Sequence, residues 1–163
     1  MGEALVKEQP DVSLLYMESV GLELITQMTQ STSSKRDGLV HIIVSFTPQT
    51  FSSRGRILEK LSDCFKSDLK NLSSILAHLS SYPIDGRMDS NMFDFYWYKA
   101  IKIIGYSYPS MKTNGLKILS EISKYDIHKV HLYLPKIHEL SDENWWEIKV
   151  QIVIFCANQL EYI

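Results

Sequence analysis

The chain has 163 residues, 45% hydrophobic and 22% charged, which is apolar enough to bury a core and excludes wholesale disorder. Seventeen basic and nineteen acidic residues leave a net charge of −2, without the basic surplus that phosphate neutralisation asks of a nucleic-acid reader, so no nucleic-acid partner is expected. The longest apolar cluster, 148–157, is broken by Lys149 and Gln151 and is too short and too polar to cross a bilayer, so no membrane partner is expected either.

Helical periodicity recurs along the chain, and strand alternation almost nowhere. After Pro10, Asp11 offers an N-cap, and Leu14, Met17, Gly21, Leu24 and Met28 share one face. Residues 30–38, QSTSSKRDG, read as a polar loop. The run LVHIIVSF (39–46) is rich in β-branched residues and fits a buried strand or a short helix; its helical neighbours and the stop at Thr47-Pro48 favour the helix. Ile57, Leu58, Leu61 and Phe65 are in helical register. Leu69, Leu72, Ile75, Leu76 and Leu79 then form a clear stripe, ended by Tyr82-Pro83.

The loop IDGRMDSN brings Asp89 or Ser90 as the next cap. Phe93, Trp97, Ala100, Ile101 and Ile104 share a face, and Pro109 breaks the chain again. Gly115, Ile118, Leu119 and Ile122 line the next helix, opposite Lys112, Asn114, Lys117, Glu121 and Lys124. Val130, Leu134, Ile137 and Leu140 fit one short helix, and SDEN (141–144) a turn. The last helix, from about Trp145, carries two apolar stripes: Trp146, Val150, Val153, Ile154, Ala157 and Leu160 on one, and Trp145, Ile148, Ile152 and Phe155 on the other. A helix apolar on most of its circumference is expected to be covered on more than one side. It reaches Ile163 without a C-cap residue, which is expected to mean an exposed edge, a fragment of a longer chain, or self-association through this helix. About eight helices joined by short turns predict an all-α fold of antiparallel helix pairs over 1–163, stacked as an α-solenoid, although a closed bundle also fits the count.

The stretch LPKIHELSDENWWEIKVQIVIFCANQL (134–160) resembles one repeat of the HEAT/armadillo class. The matching features are Leu134-Pro135, then Ile137 and Leu140, the acidic turn at Asp142 and Glu143, and Trp145 or Trp146 ahead of Ile148-Lys149. A weaker copy, 93–123, overlays it at a shift of roughly thirty-five residues, within the period range of such arrays. The resemblance implies a scaffold that binds proteins through the turns of its helix pairs. In the tubulin-binding subclass those turns present a Trp and basic residues. Trp145 sits at such a turn here, but SDEN is acidic, which counts against a direct copy of that mode. Arg87, and Lys35, Arg36 and Arg54, are the basic residues that would supply positive turns.

Chemistry-bearing motifs are few. Cys64 and Cys156 sit in apolar helical patterns and read as buried small hydrophobes. His128, His131 and His138 lack the converging ligands of a zinc site. There is no glycine-rich phosphate loop and no GxSxG elbow. Neither a catalytic residue, a metal nor a cofactor is expected.

The local oddity is FDFYWY (93–98), where Phe93 and Trp97 are assigned to the core and Phe95, Tyr96 and Tyr98 to the flanks. Trp and Tyr are frequent anchors of protein interfaces. The candidate partner-binding residues are therefore Trp145, Trp146, Asp142, Glu143, Tyr96, Tyr98 and Arg87. The function expected is a non-catalytic cytoplasmic scaffold, an amino terminus without a signal-peptide run being consistent with that compartment. One alternative is a cytoskeletal module in a microtubule or ciliary assembly; another is a helical enzyme or small-ligand carrier with a pocket lined by 93–98.

Overall fold

The computed structural model describes residues 20–21, 23–46, 51–81 and 88–161. Among them every regular element is a helix and none is a strand. The helices are α1 (23–29), α2 (Ser33–Phe46), α3 (Phe51–Cys64), α4 (Leu69–Ser80), α5 (Ser90–Ile104), α6 (Pro109–Ile122), α7 (Ile127–His131), α8 (Leu134–Leu140) and α9 (Trp146–Leu160). No described helix is long and apolar enough to cross a membrane. The chain divides into two compact units, Met1–Met92 and Phe93–Ile163.

In the first unit the sequence 33–46 is one continuous helix, which corrects the polar loop expected over 30–38. Polar composition there does not mark irregular backbone. The Arg36 amide bonds the Thr32 carbonyl at 3.0 Å, and its Nε donates to the Met28 carbonyl at 3.0 Å. The doubtful run 39–46 is helical, with Val40 and Ile43 buried. Helix α2 packs on α4, whose Leu72, Ile75, Leu76 and Leu79 are all buried. Asp68 caps α4 by accepting from the Asn71 amide at 3.3 Å.

The basic residues that would have supplied positive turns do other work. Arg54 is buried, its Nη1 donating to the Leu79 carbonyl at 3.4 Å. The Arg36 guanidinium lies over the Phe65 ring at 5.9 Å. Residues 82–87, with Tyr82-Pro83 and Arg87, lie outside the described residues, as do Leu14 and Met17.

Asp89 is the cap of α5, its Oδ1 accepting from the Met92 amide at 2.7 Å, and most of that helix lies in the second unit. Helix α6 starts on Pro109, whose missing N–H costs nothing at the first helical position. Gly115 of α6 permits a close crossing with α5, because a Cβ there would stand 2.5 Å from Ile104 Cγ1 and 3.0 Å from the Ala100 carbonyl oxygen. The expected single helix carrying Val130, Leu134, Ile137 and Leu140 is two, α7 and α8. Pro135 cannot sit inside a continuous helix, where its ring would meet the carbonyl four residues back. It opens α8 instead and leaves Leu134 exposed while Val130, Ile137 and Leu140 stay buried.

Helices α6 and α9 lie side by side and run parallel. Lys112, near the start of α6, pairs with Glu143 just before α9. Near the other end Asn158 Nδ2 donates to Ser120 Oγ at 2.7 Å, and Gln159 Nε2 to Ser123 Oγ at 2.8 Å. Helix α5 runs alongside α7 and the start of α8 in the same way. Asp94 pairs with Lys129, and the Trp97 ring meets the Tyr133 ring edge-on at 5.9 Å.

Candidate protein-binding surface on the last helix

Helix α8 ends at Leu140, and the chain turns at 141–145. The Ser141 hydroxyl donates to the His138 carbonyl at 2.6 Å, and the Glu143 amide to the Leu140 carbonyl at 3.2 Å. Trp145 stands at the N-cap of α9 with extended backbone, φ −80° and ψ 119°, and its indole supplies no acceptor for the amides of the first turn. The side chain is therefore not tied back into the helix. Trp145 is 53% exposed and Trp146, one residue on, 67%.

From there the two apolar stripes of α9 part ways. Ile148 and Phe155 are buried, together with Gln151 and Gln159. Trp146, Val150, Val153, Ile154, Ala157 and Leu160 are exposed. The expectation of cover on more than one side is thus corrected: α9 is covered on one face. The buried face is tied to α6 by Asn158 and Gln159, through Ser120 and Ser123, while an apolar stripe is left outside. Cys156 lies on the same exposed side, and Cys64 is half-buried, so neither is the fully buried hydrophobe expected.

Of the acidic turn, Asp142 is exposed and Glu143 is committed to Lys112, with side chains 33% and 14% exposed. Glu147 has Oε2 buried without a hydrogen-bond partner among the described residues. Its charge in the first turn of α9 is favoured by the helix dipole.

The aromatic run 93–98 sorts differently from expectation. Tyr96 is fully buried and is withdrawn as an interface residue, whereas Tyr98 is 69% exposed. Helix α5 buries a second stripe, Met92, Tyr96, Ala100 and Ile103, beside Phe93, Trp97 and Ile104; the i, i+4, i+8 spacing of Met92, Tyr96 and Ala100 was the signal for it. Phe93 and Trp97 stack with centroids 6.4 Å apart, and the Lys129 ammonium lies 5.2 Å and 5.9 Å from their centroids.

The fold thus gathers Asp142, Trp145 and Trp146 at one end of α9 and places Tyr98 on a separate helix; Arg87 is outside the described residues. Tyr108 and Leu132, 63% and 79% exposed, were not anticipated. Tyr108 occupies before α6 the position that Trp145 occupies before α9. Among the described residues no group of three or more His, Cys, Asp or Glu is placed to hold a metal ion. No protein-family pattern, no curated protein and no solved structure matches the chain.

Proposed function

We propose that the chain is a non-catalytic cytoplasmic scaffold of the HEAT/armadillo kind, built from stacked helix pairs, that binds a partner protein through the last helix and the turn before it. The observation that carries the binding half is the continuous exposed apolar surface from Trp145 and Trp146 along Val150, Val153 and Leu160. Removing such a surface from water contributes roughly 25 cal/mol per Å², and aromatics near the centre of an interface dominate its energy. The repeat half is supported by the spacing of contacts in the second unit. They join residues 35, 36 and 38 apart: Asp94 with Lys129, Ser123 with Gln159, Ser120 with Asn158. With Lys112 and Glu143, which are 31 apart, the bridges span 31 to 38 residues, and an interval of about one helix pair between parallel helices is what two stacked copies of that pair produce.

The test is a photo-crosslinking amino acid placed at position 146 in one preparation and, as a control, at exposed Lys102 in another. The expected result is a protein crosslinked from 146 and not from 102, whose affinity for the chain falls at least tenfold with Trp145→Ala and Trp146→Ala together. Identical adducts from both positions, or an affinity unmoved by the two substitutions, would remove the proposal.

A further inference from the structure

Helices α6 and α9 begin alike. Tyr108 and Trp145 hold the two N-caps in nearly the same extended backbone, φ −78° and ψ 122° against φ −80° and ψ 119°, both without a side-chain cap. With their first residues, Pro109 and Trp146, set in correspondence, the inward faces match. Met111 falls on Ile148, Ile118 on Phe155 and Ile122 on Gln159, all six buried.

The face of α6 that receives α9 then has a counterpart on α9 itself. Lys112 falls on Lys149, Leu116 on Val153, Ser120 on Ala157 and Ser123 on Leu160. On α6 these side chains meet the turn and helix of the next pair, through the ion pair to Glu143 and the hydrogen bonds from Asn158 and Gln159. On α9 the four counterparts are exposed, and Lys149 makes no ion pair among the described residues.

We infer that the outer stripe of α9 receives one more helix, supplied by a partner protein and laid parallel to α9 as α9 is to α6. The chemistry of that helix follows from the differences between the two faces. A carboxylate in the turn before it meets Lys149, as Glu143 meets Lys112. Where α9 offers Asn158 and Gln159 to two serines, the incoming helix is apolar, because Ala157 and Leu160 have replaced the hydroxyls and a buried amide without a partner is costly. The inference rests on the protein-binding reading above and names the kind of partner.

The probe is a labelled synthetic peptide of residues 134–163 carrying Asn158→Leu and Gln159→Leu, its helicity checked by circular dichroism, titrated into the full chain by fluorescence anisotropy. Saturable binding is expected. Glu143→Lys in the peptide should weaken it about tenfold, and Lys149→Glu in the chain should restore it, since reversing both charges re-forms the pair. Three results overturn the inference. They are no binding by the helical peptide, an affinity that follows Lys112→Glu in the chain instead of Lys149→Glu, and concentration-dependent self-association of the chain that Val153→Asp abolishes, which would give the face to a second copy. Each leaves the crosslinking result from position 146 standing on its own, so failure here is distinguishable from failure of the binding reading.

Discussion

Ser123 and Gln159 stand 36 residues apart in the chain and meet in the core of the second unit, the Gln159 amide donating to the Ser123 hydroxyl at 2.8 Å. The hydroxyl itself donates a hydrogen bond to the Ser120 carbonyl at 2.7 Å, so it is used in both directions. The other end of the amide, Gln159 Oε1, is buried and accepts no hydrogen bond from the described residues. The pair sets the register between α6 and α9 while leaving one acceptor unsatisfied.

Gln159→Ala should therefore destabilise the chain by about 1–3 kcal/mol, through the lost bond and the space left behind. Gln159→Leu should cost less than half as much, because it keeps the volume and removes the unsatisfied oxygen. Urea denaturation of both variants measures the difference. Equal losses would show that packing alone matters at this position.

Two glycines should respond in opposite directions to alanine. At Gly115 the new methyl group would need Ile104 and the Ala100 backbone to give way, and overpacking of that kind costs about 1–3 kcal/mol. This exceeds the gain in helix propensity. At Gly38, in α2, nothing lies within 4 Å of the added Cβ, so Gly38→Ala should stabilise by about 0.5–1 kcal/mol. Thermal unfolding monitored at 222 nm reads the two signs.

Tyr96 and Tyr98, two positions apart on one helix, should separate just as sharply. Tyr96→Ala removes a fully buried ring and should cost about 3–5 kcal/mol. Tyr98→Ala changes an exposed one and should stay within about 0.5 kcal/mol. Paired chemical denaturation curves test it, and a costly Tyr98→Ala would mean that this ring is covered in solution.

Tyr133 sits beside Trp97 with its hydroxyl pushed above the usual tyrosine value of 10.0. Burial is the main cause; Lys136 pulls it down and Glu139 raises it. A phenol whose folded pKa is raised favours folding in its neutral form. That contribution is complete below the unfolded value near 10 and is lost as pH rises through the folded one. Stability should thus fall above pH 10 more steeply in the wild type than in Tyr133→Phe. Melting temperatures between pH 8 and pH 11 would show this, and parallel curves would rule it out.

Much of the helical fold was legible in periodicity, because the i, i+3, i+4 stripes on α4, α5 and α6 coincide with the buried faces. Where expectation and structure part, the local signal was ambiguous for a physical reason. The polar residues 33–38 begin a helix that their composition disguised, and Pro135 divides what reads as a single stripe. Helix α9 shows the limit most plainly. Its two stripes are equally apolar, so hydrophobicity could not decide which one turns inward. Asn158 and Gln159 tie the inward face to α6, and they do so through Ser120 and Ser123, which α6 places there, a tertiary fact. In the candidate surface, the turn singled out Trp145, Trp146 and Asp142, which are exposed, while Tyr96 was misplaced because its companion Met92 was left out of the stripe.

The interval of the contacts that tie α5 to α7 and α8, and α6 to α9, also bears on how the second unit forms. The bridges close loops of 31 to 38 residues, and loop closure is the principal entropic cost of a non-local contact. Once Lys112 has found Glu143, the ends of the segment are already held, and the Ser120 and Ser123 bridges close with little further loss. Residues 93–161 should accordingly gain their long-range contacts in one step, with amide protons along α6 and α9 exchanging at a common rate rather than fraying from one end.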